Sequence, residues 1–260
     1  MKYGFILTGP PDAARLVDMA VEVEAAGWDG VFYWDGIVPG ERGHDPWALL
    51  AAIAVKTRRV KLGAILVPLP WRKPWLIARS LATVDQLSNG RLILPVGLGA
   101  VHPPEVEAGT TIVGEPTDIR ERAQLLDEGL AIIRGLASGE PFDYHGKHYR
   151  LHGAAVPSYR VPIWVVGAWD SARSMARVLR YDGWLTQGAD LNDVKTFSAE
   201  HPGFDIVWQG TTPGDDPREA ARIVGPLAEA GVTWWIEAMW GTPGGPDALR
   251  RRIAQRPPGP

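Results

Sequence analysis

Cysteine is absent from the 260 residues. That excludes disulfides, thiolate chemistry and sulfur metal ligands, and fits a cytoplasmic protein. Long apolar runs are missing too: none approaches the roughly 20 residues a membrane span needs. The N-terminus leads straight into a strand-like segment, without the basic and apolar regions of a secretory signal. Neither sign of charge dominates. The 27 Lys and Arg nearly balance 30 Asp and Glu, and a net charge of −3 disfavours a nucleic-acid partner. There is no Gly-x-Ser-x-Gly elbow, no Walker loop and no His-Glu-x-x-His, which disfavours serine hydrolases, nucleotide hydrolases and zinc proteases. His145, His148 and His152 lie close in sequence, but a turn separates the first two and no carboxylate helps them converge, so no metal site is expected.

What the chain does have is a repeated alternation of apolar segments and amphipathic ones. Residues 60–99 set the pattern: an apolar run ending at Val67, a Pro-rich loop, a helical run with Leu76, Ile77, Leu81, Val84 and Leu87, a break at Ser88-Asn89-Gly90, and a second apolar run to Gly99. The apolar runs are nearly continuous, as in parallel strands covered on both faces, and Gly90 suits the left-handed end of a helix. Strands are read at 3–8, 30–34, 60–67, 91–99, 161–167, 183–186, 204–209 and 233–237. Helices are read after Asp12, from Pro46, between the third and fourth strands, and at 119–137, 171–179, 191–201, 217–230 and 247–255. Residues 142–151 read as a hairpin within a small insertion near 138–160, and 256–260 as a tail that frays. Eight strands alternating with about eight helices over 260 residues is the arithmetic of a single (β/α)₈ TIM barrel. The alternative, an open doubly wound sheet, lacks its fingerprint, because the third glycine position after Gly97-Leu-Gly99 is His102.

A barrel's active site lies at the C-terminal ends of its strands. Those ends carry Asp35, the segment 68–73, Gly97 and Gly99 with the long connection to 118, the loop from Gly167, Gln187, and the segments from Trp208 and Glu237. Of 12 tryptophans, Trp34, Trp71, Trp169, Trp208 and Trp240 fall at or just past strand ends, where indoles would wall an apolar pocket for a planar ring or apolar substrate. Asp35 is the candidate for proton transfer, with His44 and His102 as the histidines on rim loops. Asp35 and Glu237 are also candidates for a cofactor-free carboxylate pair, in a lyase or hydrolase.

The segments Ala25-Ala-Gly-Trp-Asp-Gly-Val-Phe-Tyr-Trp-Asp35, Thr57-Arg-Arg-Val-Lys-Leu-Gly63, Leu87-Ser-Asn-Gly-Arg91 with Val96-Gly-Leu-Gly99, Arg122 to Gly129, Phe142 to Leu151, Pro162-Ile-Trp-Val-Val-Gly167 and Tyr181-Asp-Gly-Trp184 occur in this order over residues 1–186. In that ordered set the chain resembles the short branch of the bacterial luciferase-like monooxygenase family, whose members are flavin-dependent monooxygenases and deazaflavin-dependent dehydrogenases and reductases. The resemblance implies a (β/α)₈ barrel that works as an oxidoreductase on a small organic substrate, with FMN or a deazaflavin of the coenzyme F420 type at its mouth. It implies that Leu66, Val67 and Pro68 pack under the cofactor ring, where some members carry a non-proline cis peptide. It implies that Gly167, Ala168, Trp169 and Ser171, at a helix start, receive the cofactor phosphate. Three departures stand out. The family's Asp-His after the second strand is Asp35-Gly36, its Gly-Gly-Ser-Gly phosphate loop is Gly167-Ala-Trp-Asp170, and the last third is short. At that loop Asp170 adds repulsion and Trp169 bulk, against which Ser171 and Arg173 stand. A non-catalytic barrel that has lost its cofactor is the alternative, with Trp169 and Trp208 filling the pocket. Pairing of two copies through barrel helices is expected as well.

Overall fold

The computed structural model describes residues 1–8, 12–36, 43–99, 116–240 and 244–258. Its strands are β1 (Lys2–Leu7), β2 (Gly30–Tyr33), β3 (Lys61–Ala64), β4 (Val67–Pro68), β5 (Leu94–Gly97), β6 (Phe142–His145), β7 (Arg150–Ala154), β8 (Ile163–Ala168), β9 (Gly183–Gln187), β10 (Asp205–Gly210) and β11 (Trp234–Glu237). The helices among the described residues are α1 (Ala13–Ala25), α2 (Pro46–Lys56), α3 (Pro74–Ser88), α4 (Ile119–Leu136), α5 (Ala172–Val178), α6 (Leu191–Glu200), α7 (Pro217–Ala230) and α8 (Gly245–Ala254).

Nine strands run parallel in the order β3-β2-β1-β11-β10-β9-β8-β5-β4. The ring closes where Leu62 bridges Leu92 in parallel, with Ile93 N–H donating to the Leu62 carbonyl at 2.8 Å. The molecule is therefore a (β/α)₈ barrel, with β6 and β7 as a separate antiparallel hairpin within the expected insertion. The single third strand expected at 60–67 is instead two short pieces, β3 and β4, separated by a cis peptide between Ile65 and Leu66.

Local sequence sets the helix starts. Asp12, Asp45, Asp118 and Asp216 each accept a backbone N–H of the helix that follows, and Asp190 forms a reciprocal capping box with Asp193. At the end of α3 the left-handed residue is Asn89 as well as Gly90. The apolar stripe of α3 is rotated from the expected one: Ile77, Leu81 and Val84 are buried, while Leu76 and Leu87 face out. The tie between Thr57 and Ser88-Asn-Gly-Arg91 is structural. The buried Arg91 guanidinium donates to carbonyl oxygens of Ala54, Thr57, Val60 and Ser88 and to Thr57 Oγ1, joining the C-terminal ends of α2 and α3.

Strand residues alternate between two apolar environments. One set faces the helices; the other fills the barrel, where Phe32, Trp164 and Trp234 meet with ring centroids 5.3–6.2 Å apart. Glycine makes room for these rings: a Cβ on Gly183 would lie 2.2 Å from Trp164 Cδ1, and one on Gly4 2.6 Å from Phe32 Cε2. Two of the 12 tryptophans, Trp164 and Trp234, are thus barrel filling. Among the described residues no helix is long and apolar enough to cross a membrane.

Candidate active site

A cleft of about 1380 Å³ opens at the C-terminal ends of the strands. Inward-facing residues that follow the barrel filling reach it: Trp34 two residues after Phe32, Val166 and Ala168 after Trp164, Gln187 after Leu185, and Gln209 after Val207. Ile65, Leu66 and Pro68 add an apolar floor, and Trp71, Leu98, Gly99 and Trp240 a wall. Gly99 sits at φ +80°, and a Cβ there would stand 3.0 Å from Pro68 and Trp71, so the close approach of these elements requires glycine. Gly43 does the same for Trp34, whose ring would lie 2.5 Å from an added Cβ.

Asp35, just past β2, is one of the residues that line the cleft. Its side chain is 1% exposed, and Arg72 grips both oxygens, Nε donating to Oδ2 at 3.1 Å and Nη2 to Oδ1. Burial pushes its pKa above the ordinary carboxylate value; the Arg72 hydrogen bonds and charge pull it back, and Asp45 adds a further upward push. His44 is held by its backbone N–H, which donates to the Tyr33 hydroxyl at 3.1 Å. Its ring Nε2 is buried with no hydrogen-bond partner among the described residues, and His44 does not line the cleft. Trp71 Nε1 is likewise buried without a partner among the described residues. His102 lies outside the described residues.

Several expected pocket residues face the other way. Trp208 and Glu237 sit on the helix-facing side of β10 and β11, one residue out of phase with Gln209 and Ala238. Glu237 is fully buried and accepts from Thr212 N, Thr212 Oγ1 and Trp235 Nε1, with Arg252 beside it. Asp35 and Glu237 therefore do not share a site, which removes the carboxylate-pair reading. Trp169 stacks on Trp184 with centroids 5.4 Å apart and packs edge-on to Phe197, so it neither crowds the loop nor fills the cleft. Val67 is buried toward the helices, and Gly97 and Gly167 are packed against side chains rather than open to the cleft.

The loop from Gly167 also differs from the expected cradle. α5 is only seven residues long, and several N–H groups are engaged: Ala168 with Ser174 Oγ at 3.0 Å, Trp169 with the Gln187 carbonyl at 3.0 Å, and Ser174 with Ser171 Oγ at 3.3 Å. Side chains supply the positive charge instead. Arg120, Arg173, Arg177 and Arg180 line this end of the cleft, with Asp127 bridging Arg177 and Arg180. Arg120, Arg177 and Arg180 were not singled out from sequence, because only the packing of α4 against α5 turns them to one place. On the hairpin, His148 Nε2 lies 3.1 Å from Gln124 Oε1 and His152 Nδ1 3.0 Å from Asp143 Oδ1. Among the described residues no group of three or more His, Asp or Glu could hold a metal.

A closed parallel barrel with an apolar, arginine-ended cleft at the carboxyl ends of its strands defines a TIM-barrel protein. The chain belongs to the luciferase-like monooxygenase family, whose pattern it matches over residues 3–200. It is 36% identical over 165 residues to an F420-dependent glucose-6-phosphate dehydrogenase of Amycolatopsis mediterranei, covering 60% of this chain and 47% of that protein. It is 30% identical over 220 residues to an F420-dependent hydroxymycolic acid dehydrogenase of Mycobacterium tuberculosis, covering 81% of this chain and 59% of that protein. The chain thus spans about half the length of these relatives. Its fold is similar to that of an F420-dependent secondary alcohol dehydrogenase solved with an F420-acetone adduct, with a TM-score of 0.77, 17% identity, and coverage of 97% of this chain and 96% of that one.

Proposed function

We propose that this protein is an oxidoreductase that binds a deazaflavin of the F420 type in the strand-end cleft and interconverts an alcohol and its carbonyl product. The observation that carries the reading is the cleft itself, with an apolar floor at Leu66 and Pro68, a buried carboxylate at Asp35 on one side and arginines at the far end. The residues fit the cofactor. A tricyclic ring needs flat apolar walls, which Trp34, Trp71 and Leu66 offer, and Trp71 Nε1, without a partner among the described residues, is a buried donor in that wall. An anionic tail needs positive charge, which Arg120, Arg173, Arg177 and Arg180 supply although the family's glycine loop is altered. The names of the relatives, dehydrogenases of a sugar phosphate, a hydroxymycolic acid and a secondary alcohol, support an alcohol as the substrate class.

The bound cofactor supplies a hydride acceptor or donor. The chain's own residues do the rest. The apolar walls orient the ring and exclude water, and Asp35 takes the hydroxyl proton as the carbon–oxygen double bond forms and returns it in the reverse direction. The residue after Asp35 is Gly36 rather than histidine, so the proton load falls on Asp35 itself.

An anaerobic titration with F420 and, in parallel, FMN tests the reading. A saturable shift of deazaflavin absorbance is expected, with weaker or no quenching of flavin fluorescence. Saturation by FMN alone would assign the cleft to a flavin, and no response to either would overturn the proposal.

A further inference from the structure

Arg72 does not line the cleft, yet among the described residues it alone donates hydrogen bonds to the carboxylate of Asp35, a residue that does. It stands directly after the 3-10 turn Leu69–Trp71, where its N–H donates to the Leu69 carbonyl at 3.0 Å, with Pro70 two residues before it, inside the turn, and Pro74 two residues after it. That backbone is stiff, because proline fixes φ on both sides. The guanidinium fork meets both oxygens of Asp35, so the plane of the carboxylate is set as well as its position. Each oxygen keeps lone-pair capacity beyond the one that Arg72 uses.

We infer that Arg72 is a positioning residue that fixes the Asp35 carboxylate, as an anion, against the cleft, ready to accept a proton there. The part that concerns a substrate hydroxyl rests on the proposed function; the part that concerns the ionisation and orientation of Asp35 does not. The physical argument is a balance. A carboxylate this buried is driven towards its neutral form, and a neutral acid cannot accept a proton. Asp45, at the start of α2, pushes the same way. Arg72, on the turn before α3, is the opposing charge; these two are the charged groups acting on Asp35 among the described residues. His44, next to Asp45, turns its buried Nε2 to no partner among the described residues. Lysine would keep the charge but lose the fork, so charge and geometry can be separated by substitution.

The test uses the full chain as wild type, Arg72→Gln and Arg72→Lys, with circular dichroism confirming the fold. The titration of Asp35 is followed without cofactor by carboxyl carbon NMR, assigned through Asp35→Asn. In Arg72→Gln the titration point is expected to rise by about one to three pH units, the usual effect of a close opposite charge. In Arg72→Lys it rises less. With cofactor and alcohol present, the acid limb of kcat moves up by the same amount in each variant while KM changes little, and Arg72→Lys recovers only part of the kcat lost in Arg72→Gln. If Arg72→Gln does not fold, Arg72→Lys decides: a raised titration point supports the inference and an unchanged one overturns it. An Asp35 titration within a few tenths of a unit of wild type in both folded variants overturns it as well. If the titration moves but no cofactor binds, the role of Arg72 stands and the deazaflavin reading falls.

Discussion

Glu237→Gln separates a structural carboxylate from a catalytic one. Glu237 is fully buried, and Thr212 N and Thr212 Oγ1 each donate to it at 2.7 Å, Trp235 Nε1 at 3.0 Å, and Arg252 from 3.4 Å. Glutamine keeps one acceptor oxygen but places an amide donor where the carboxylate accepted, and it removes the charge opposite a buried guanidinium. Losing one partner of a buried pair costs about 3–5 kcal/mol. Arg252 keeps its bonds to the Thr212 carbonyl at 3.2 Å and the Arg256 carbonyl at 2.7 Å, and stays 5.0 Å above the Trp28 ring, so the lower figure applies. A loss of about 3 kcal/mol lowers Tm by about 6–12 °C in a domain of this size. Guanidinium unfolding followed by tryptophan fluorescence would measure it, with Cm falling and m unchanged. Deazaflavin affinity and kcat per folded molecule are expected to stay within about twofold. The reasoning is refuted if stability drops by less than about 1 kcal/mol, or if turnover disappears while stability is retained.

Asp35→Asn should lower turnover by about 10²–10⁴-fold, as loss of an acid–base group does, with cofactor affinity nearly unchanged; equal turnover would remove Asp35 from the chemistry. The same variant tests a pH linkage. The folded-state pKa of Asp35 is raised, mainly by burial. Its contribution to stability is therefore complete below the ordinary carboxylate pKa and is lost as pH rises through the raised value. Denaturation curves across that window should show a downward slope in wild type that Asp35→Asn flattens, whereas identical slopes would contradict the raised value. Trp71→Ala should weaken deazaflavin binding by about tenfold, the scale of one lost aromatic contact of 0.5–1.5 kcal/mol, and Trp208→Ala should leave it unchanged although it destabilises the fold. Titration of both variants checks this, and the reverse ranking would refute the assigned facing of β10.

Much of this molecule was legible along the chain. Asp12 reads as a helix cap and is one, because a short carboxylate reaches back to free N–H groups, a local interaction that needs no tertiary partner; Asp45, Asp118, Asp190 and Asp216, not named as caps from sequence, act in the same way. Gly231 closes α7 in the left-handed conformation for an equally local reason. The number and order of apolar runs separated by helices then leave a closed parallel barrel as the economical arrangement, and that arrangement places Asp35, Trp34 and Gln187 at one mouth.

The facing of each strand residue was decided by tertiary structure. In a half-exposed strand, polar and apolar residues alternate and betray which side is inside. Here Trp234-Trp-Ile-Glu237 and Ile206-Val-Trp208 are covered on both faces, one by the barrel filling and one by the helices. Period two then carries no label, and shifting the phase by one residue exchanges every side chain between the two environments. That is why Glu237 and Trp208 were expected at the mouth and are found beneath the helices, while Gln209, in the same strand-end segment as Trp208 but not singled out there, lines the cleft. Arg72 and the arginines of α4 and α5 belong to the same category. Any chain position could hold them, and only closure of the ring brings Arg72 to Asp35 and sets Arg120 on the same cleft as Arg173.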